Sequence, residues 1–259
     1  MFKQDKLQEI ERITEFIKKQ LSYAKKKMVV VGLSGGLDSS VTAALCAKAL
    51  GNDKVYGLML PYRSSDPASL ADAIIVAQHL NVKFRKVDIS PMVDNYYKDE
   101  EQEADNLRKG NFMARIRMSV LYDHSAKYNA LVAGTGNRSE LMIGYSTQYG
   151  DNACAFEPIG HLYKTETFEL AKYLKLPEEI ISKKPTADLW EGQTDEEEMG
   201  ITYVNLDEIL HLMLDKRVND KKLISIFSEQ MVNKVKQMIL KSEFKRIMPP
   251  VLNRLEEKS

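Results

Sequence analysis

The first half of the chain alternates between two periods of hydrophobic positions. A helix over residues 3–25 is predicted by apolar side chains at three- and four-residue spacings: Leu7, Ile10, Ile13, Ile17 and Leu21. The period changes at MVVVGL, residues 28–33, a short β-branched run that lies between a lysine triplet and two glycines. Such a run predicts a strand that is buried on both faces.

The same alternation recurs downstream. Further strands are predicted over 54–61, 82–89 and 129–134, and helices over 39–50, 66–80, about 111–127 and about 137–144. Alternation of this kind predicts an α/β fold, a doubly wound, mostly parallel sheet with helices on both faces. Ligands of such sheets bind beyond the carboxyl ends of the strands, so we expect the chemistry to follow residues 33, 60 and 134.

The second half is predominantly helical, so we predict a single domain over 1–259 with helical extensions at both ends. One polar stretch, residues 184–200, interrupts the helical pattern, and its hydrophobic residues show no regular spacing. A long irregular segment in a compact domain is functional or disordered. Because residues 187–200 combine two glycines with many carboxylates, we predict a mobile lid there, with Trp190 inside it.

Composition narrows the class of protein. The 37 Lys and Arg balance the 37 Asp and Glu, so charge gives no reason to expect a nucleic-acid partner. No apolar run approaches the roughly 20 residues of a membrane helix, and we expect no membrane association. The two cysteines, Cys46 and Cys154, are compatible with a reducing compartment, so we expect a cytoplasmic protein.

The sharpest local signal is SGGLDSS, residues 34–40, between a predicted buried strand and a helix. Adjacent glycines allow a tight turn, and a helix N-terminus with hydroxyl donors favours phosphate. No Gly-Lys-Ser/Thr follows, which excludes a Walker A loop. The segment predicts a phosphate loop; the alternative is an ordinary glycine turn in which Asp38 is only an N-terminal charge.

An acid inside a phosphate loop repels phosphate unless a cation joins them. Magnesium does so with one or two carboxylates and phosphate oxygens. We therefore expect Mg²⁺ at Asp38, with the second carboxylate from Glu140, which follows the strand at 129–134.

SGGLDS resembles the loop of ATP pyrophosphatases, a set that includes GMP, asparagine and NAD synthetases. Three later stretches resemble NAD synthetases in particular: GTGNRSELMIGYSTQYGD (134–151), PIGHLYKT (158–165) and PTADLWEGQTDEEEMG (185–200). The resemblance runs from about residue 7 to about residue 250. It implies the Rossmann-like fold of adenine nucleotide α-hydrolases and an ammonia-dependent ligase that converts deamido-NAD to NAD. The reaction passes through an adenylate and releases AMP and pyrophosphate.

The resemblance also implies roles for individual residues. ATP contacts fall on Ser34, Gly35, Gly36, Asp38, Ser39, Thr135, Lys164 and Thr186. Deamido-NAD contacts fall on Arg115, Gln148, Asp151, Phe244 and Lys245. Magnesium ligands fall on Asp38 and Glu140, and catalytic roles on Asp38, Asp151 and Lys164.

The chain departs from the family at two of these positions. Family members often have lysine in place of Gln148 and histidine in place of Phe244. The loss of a cation that faces an anionic substrate would weaken binding unless Arg138 or Lys245 compensates. Simpler explanations exist for three others: Lys164 on a solvated helix face, Asp151 as a turn residue, and Arg115 held by a helix C-terminus.

The nitrogen source and the oligomeric state follow from other features. Only 33 residues precede the phosphate loop, too few for a glutaminase domain, so we expect free ammonia. Residues 112–122 are apolar on two sides, with Phe112, Met113, Ile116 and Val120 on one and Ala114, Met118, Leu121 and Tyr122 on the other. A helix that is apolar on two sides needs two partners, and we expect a homodimer.

Two other functions remain open at this point. An RNA-modifying or sulfur-transferring ligase with the same loop would carry a basic surface or paired cysteines. A nucleotide sensor would hold ATP without turning it over. The balanced charge disfavours the first, and the paired magnesium ligands disfavour the second.

Overall fold

A four-stranded parallel sheet forms the centre of the computed structural model, which describes residues 5–99, 104–186 and 192–252. The strands are β1 Met28–Gly32, β2 Val55–Met59, β3 Lys83–Lys86 and β4 Ala130–Ala133. Their order is β3-β2-β1-β4, with Val30 of β1 opposite Tyr56 on one side and Val132 on the other. The chain therefore reverses its direction of winding between β1 and β4, which is where doubly wound sheets bind ligands.

Burial along the strands explains their composition. Val29, Val30 and Val31 of β1 are completely buried, as expected for a central strand of β-branched residues. All four residues of β3 are exposed at one edge of the sheet. At the other edge, Ala133 of β4 pairs with Phe156 through an isolated parallel bridge. The predicted α/β class, parallel sheet and four strands are confirmed.

Helices follow the strands and then dominate the rest of the chain. The helices up to residue 143 are α1 Lys6–Tyr23, α2 Leu37–Leu50, α3 Pro67–His79, α4 Ser90–Asp99, α5 Asn106–Lys127 and α6 Arg138–Ile143. The C-terminal half contains α7 Lys164–Tyr173, α8 Glu178–Ile181, α9 Asp195–Met199, α10 Tyr203–Leu210, α11 Asp220–Ile226 and α12 Glu229–Lys241. A π-helical turn, His211–Asp215, continues α10, and a 3₁₀ turn, Glu243–Arg246, follows α12.

Three hydrophobic clusters hold these elements together. Helices α1, α2 and α7 pack on one face of the sheet, around residues such as Ile13, Ile17 and Leu45. Helices α4 and α5 cover the other face, with Val93 and Met113 against the strands. The C-terminal helices form a third cluster with α6. The third cluster places α6 and α10 at the carboxyl end of the sheet.

The structure differs from the sequence predictions in three places. Helix α5 begins at Asn106, earlier than residue 111, because Asp105 accepts a hydrogen bond from the Arg108 amide and caps it. Helix α4 was not predicted. The polar stretch at 184–200 contains α9, whereas the predicted lid residues 187–191, including Trp190, lie outside the described residues. Within the described ranges, we find no helix with the length and apolar character needed to span a bilayer.

Candidate nucleotide-binding site

The predicted phosphate loop lies between β1 and α2, beside the point where the winding reverses. Gly35 has a φ of +79°, and a Cβ there would lie 2.1 Å from the Ser69 carbonyl oxygen, so only glycine fits. The Ser39 and Ser40 hydroxyls donate to the Gly36 carbonyl oxygen at 3.0 and 2.7 Å. Among the described residues, no side chain caps the first turn of α2. Its amides are therefore available for an anion.

A buried lysine joins the two predicted magnesium carboxylates. Lys164 Nζ at the start of α7 contacts Asp38 Oδ2 and lies 3.2 Å from Glu140 Oε1. The Lys164 side chain is only 4% exposed. The explanation of Lys164 as part of a solvated helix face is therefore wrong, and Asp38 and Glu140 face the same point as predicted.

The protonation of this group reflects its burial. Burial raises the pKa of Glu140 to about 8; Lys164 opposes this rise, and the Asp38 and Asp195 carboxylates reinforce it. Burial alone would lower the pKa of Lys164, but Asp38 and Glu140 outweigh it and the pKa is raised. Lys164 therefore carries its charge, while the carboxylates around it exceed the single positive charge available.

Asn137 is a member of this group that the sequence analysis missed. It forms a capping box with Glu140, because its Oδ1 accepts the Glu140 amide at 3.0 Å and Glu140 Oε2 accepts the Asn137 amide at 3.4 Å. Its Nδ2 donates to Asp38 Oδ1 at 3.2 Å. The cap thus links the loop after β4 to the loop after β1. The spacing of Asn137 and Glu140 is the sequence signal that could have revealed it.

The polar stretch supplies a further carboxylate that was also missed. Asp195 is buried at the start of α9, where it accepts hydrogen bonds from Tyr203 at 3.0 Å and Tyr145 at 3.2 Å. Tyr203 also donates to Glu140 Oε1 at 3.4 Å. Residues 192–199 are thereby tied to the site in this conformation. No local pattern announces such contacts, because they join helices that are distant in sequence.

A cavity of about 590 Å³ opens at this group and extends along α5. Most of the predicted site residues line it: Ser34, Gly36, Asp38, Ser39, Thr135, Glu140, Asp151, Lys164, Thr186 and Lys245. Its wall also contains three cations that were not predicted, Arg117, Lys183 and Lys184. Lys183 donates to Asp72 Oδ2 at 2.7 Å and to Ser69 Oγ at 3.1 Å, close to the phosphate loop.

Asp151 and Lys245 line another part of the cavity wall. Asp151 Oδ1 accepts the Thr147 amide at 2.7 Å, so Asp151 does form a turn as well as face the cavity. Desolvation by burial raises the pKa of Asp151, although the Thr147 amide and Lys245 act to lower it. Lys245 Nζ donates to the carbonyl oxygens of Gly144 and Ser146 at 2.8 and 2.6 Å.

Cys154 lines the cavity next to a carboxylate that was not predicted. Its thiol donates to Glu157 Oε1 at 3.2 Å, and Glu157 Oε2 accepts the Gly136 amide at 3.1 Å. Burial raises the pKa of Glu157 to about 7 and also raises the pKa of Cys154. The Cys154 thiol therefore stays protonated and is no nucleophile.

Three predicted deamido-NAD residues do not line the cavity in this single chain. Arg115 is exposed, and its Nε donates to the Gln148 carbonyl oxygen at 3.3 Å. Phe244 is 53% exposed. Arg138 does not replace the missing cation either, because it pairs with Asp215 at 2.5 Å, whereas Lys245 faces the cavity.

Helix α5 uses both of its apolar sides. Met113 is buried against the sheet, as the first stripe predicts. On the second side, Ala114, Met118 and Leu121 line the cavity, so a ligand can cover part of this face. Tyr122 remains 39% exposed. The second side is therefore shared between the cavity and the surface.

The comparisons with known proteins agree with this geometry. The model of the NAD synthase family matches residues 9–249. The NH(3)-dependent NAD(+) synthetase of Fusobacterium nucleatum is 47% identical over 238 residues, which are 92% of each chain.

Two solved structures are also similar. The NMN synthetase of Francisella tularensis has a TM-score of 0.87 at 31% identity, covering 97% of this chain and all of that one. The NH3-dependent NAD synthetase of Campylobacter jejuni, in complex with nitrate, has a TM-score of 0.83 at 38% identity, covering 96% and 100%. The phosphate loop, the site at the reversal of the sheet and these matches over nearly the whole chain lead to one conclusion: the protein belongs to the NAD synthase family.

Proposed function

We propose that this protein is an ATP-dependent ligase that amidates deamido-NAD to NAD with free ammonia. The observation that carries the proposal is the junction of Asp38, Glu140 and Lys164 at the phosphate loop. Paired carboxylates and a buried cation beside a loop that suits phosphate support the binding of a triphosphate. Asp151 and Lys245, on the wall of the same cavity, provide charges for a second substrate.

In the first step, an oxygen of the nicotinate carboxylate attacks the α-phosphorus of ATP, and the bond to pyrophosphate breaks. Both reactants are anions, so their approach requires neutralisation. Lys164 and the unsatisfied amides of α2 are the groups of this chain that hold the phosphates. Lys183 and Lys184 add positive charge on the wall, which favours the departure of pyrophosphate.

The residues present fit a magnesium ion. Within the described ranges, no three His, Cys, Asp or Glu side chains surround a common position, so an all-protein metal cage is not formed there. Asp38 and Glu140 would instead hold Mg²⁺ together with substrate phosphate oxygens, the arrangement that this ion prefers. Burial, together with the Asp38 and Asp195 carboxylates, raises the pKa of Glu140, and a bound cation would favour its charged form. Bound Mg²⁺ supplies charge neutralisation at the phosphates.

In the second step, the nitrogen of ammonia attacks the carbonyl carbon of the adenylate, AMP leaves with the bonding electrons, and the nitrogen releases one proton to solvent as the amide forms. Asp151 is the carboxylate that we assign to the entry of ammonia, since it faces the cavity and is hydrogen-bonded by the Thr147 amide. An anion there attracts ammonium. Release of a proton from ammonium is required before attack, because only the unprotonated amine has a free electron pair.

A second candidate is the same amidation on a mononucleotide. The Francisella tularensis protein of very similar fold is an NMN synthetase, so the fold itself does not choose between the two substrates. The relative from Fusobacterium nucleatum, at higher identity, favours the dinucleotide. A direct competition between deamido-NAD and nicotinate mononucleotide decides between them.

We further place the enzyme in the cytoplasm and assign it a homodimeric state. The exposed part of the second side of α5, including Tyr122, and the exposed Arg115 on the same helix form the surface that a second copy would cover. A partner at this surface would bring Arg115, together with the Gln148 backbone that it contacts, into a shared substrate site.

The proposed function can be tested directly by measuring its products. With ATP, Mg²⁺ and deamido-NAD, ammonium should yield NAD, AMP and pyrophosphate in equal amounts, and glutamine should yield none. The rate at fixed total ammonium should rise with pH through the neutral range, because the amine fraction rises. Product from glutamine, turnover without deamido-NAD, or preference for the mononucleotide would contradict the assignment.

Asp38→Asn should lower turnover at least about a hundredfold, the size of effect seen when a group that stabilises developing charge is lost. Pyrophosphate release at saturating Mg²⁺ measures it. Asp53→Asn, at an exposed acid outside the cavity, is the matched control and should keep normal turnover. Near-normal activity of Asp38→Asn would remove Asp38 from the metal site.

Glu140→Gln should make the magnesium-free protein more stable as it loses activity. The folded pKa of about 8 lies above the ordinary value of 4.5, so the stability linked to this proton is present at low pH and is lost as pH rises toward 8. The gain in melting temperature should therefore be small at pH 5 and largest above pH 8. Scanning calorimetry in a chelator measures it.

The control for this experiment is Glu169→Gln. Glu169 is an exposed acid whose pKa is lowered by its hydrogen bond to Lys172, so its loss should give no gain that grows with pH. A Glu140→Gln variant whose melting temperature equals that of the wild type at every pH would show that Glu140 carries no excess charge.

The homodimer predicts a mass of about twice 29.5 kDa by light scattering at micromolar concentration. Tyr122→Glu should shift the protein toward monomer, because it introduces a charge on the exposed side of α5. A wild-type monomer with full activity would refute the shared site.

A further inference from the structure

Asp207 is a buried carboxylate that lies behind the site and that the mechanism above does not use. It belongs to α10 and is 1% exposed. Its Oδ1 accepts a hydrogen bond from the Ser139 hydroxyl at 2.5 Å, and its Oδ2 accepts the Thr165 amide at 2.8 Å. One carboxylate therefore holds residues of both α6 and α7.

A third hydrogen bond closes the arrangement. The Lys164 amide donates to Ser139 Oγ at 2.9 Å, so the Ser139 hydroxyl accepts from α7 and donates to α10 at once. Ser139 is completely buried, so water does not compete for these bonds. We call Asp207, Ser139 and the amides of Lys164 and Thr165 the positioning link.

The positioning link contacts the immediate neighbours of the site residues. Ser139 precedes Glu140, and Thr165 follows Lys164. The direction in which the Glu140 and Lys164 side chains point depends on the backbone of α6 and α7, which the positioning link holds. Asp207 also places a negative charge at the N-terminus of α7, where the helix dipole favours it.

We propose that Asp207 is a positioning residue, which sets the relative placement of Glu140 and Lys164 for the binding and activation of ATP. The proposal rests on the proposed function for its kinetic readout. It does not require that Asp207 touch a substrate.

Asp207→Asn is the direct test, because it replaces one of the two accepting oxygens by an NH2 group, which cannot accept the hydrogen bond that this oxygen accepts now. Ser139→Ala removes the other half of the link. Asp215→Asn is the matched control. Asp215 lies in the π-helical turn and also joins α6 to the residue before α7, but its hydrogen bonds within the described residues go to the side chains of Arg138, Tyr163 and His211 and not to the backbone amides that the link holds.

Calorimetric titration with ATP and Mg²⁺, without deamido-NAD, gives a readout that does not depend on turnover. For Asp207→Asn we expect an ATP Kd about fivefold higher and a kcat about tenfold lower, as for loss of a group that orients a ligand-binding residue. The KM for ammonium should stay within about twofold, since ammonia acts after ATP is activated. Ser139→Ala should act in the same direction.

The double variant separates positioning from general destabilisation. If both residues act through one link, Asp207→Asn with Ser139→Ala should be little worse than the more severe single variant. Asp215→Asn should lower the melting temperature yet leave ATP Kd and kcat unchanged. If Asp207→Asn does not fold, Ser139→Ala and Asp215→Asn carry the comparison.

Wild-type ATP affinity in Asp207→Asn or, where that variant does not fold, in Ser139→Ala would overturn the proposal. So would equal kinetic losses in Asp215→Asn, or additive effects in the double variant. Failure of the proposed function is recognised separately: the wild type would bind ATP but make no AMP with deamido-NAD and ammonium. In that case the ATP Kd still tests the positioning link.

Discussion

The buried ammonium group of Lys164 is the contact on which the architecture of the site depends. It lies between Asp38 of α2 and Glu140 of α6, and it starts α7, so one charge joins three helices at the carboxyl end of the sheet. Removing Lys164 would leave both carboxylates buried without a counter-charge, and the loss of such a partner costs about 3–5 kcal/mol. With Asp195 nearby, the group holds more negative than positive charge. This excess of negative charge makes the group costly to bury. It also suits the group to bind a nucleotide that arrives with cations.

The sheet and much of the site could be predicted because they depend on local pattern. Strands β1, β2 and β4 are short apolar or β-branched runs that are followed by turn residues, so their carboxyl ends could be located from the sequence. Asp38 and Glu140 follow neighbouring strands, and the parallel topology brings them together. The NAD synthase family match, over residues 9–249, agrees with the resemblance of the separated motifs.

The remaining site residues could not be predicted, because their contacts arise from the packing of helices. Asp195, Tyr203 and Asp207 come from α9 and α10, and each contacts a residue far away in the chain: Tyr145, Glu140 and Ser139, respectively. In the sequence they are an acid in a polar stretch, a tyrosine in a helix and an acid in a helix. Only the third hydrophobic cluster, which docks α10 against α6, gives them a role.

The two edges of the sheet have different protection against association with other molecules. At β4, the backbone groups are used within the chain, since the Ala155 amide donates to Val132 and the Gly134 amide donates to Phe156, both at 2.9 Å. At β3, the exposed strand KFRK presents three positive side chains, and a second copy added there would bring like charges together. Salt screens charge but leaves backbone pairing intact. Edge-to-edge aggregation of this protein is therefore opposed by backbone hydrogen bonds within the chain on one side, and on the other only by charge repulsion that weakens as the salt concentration rises.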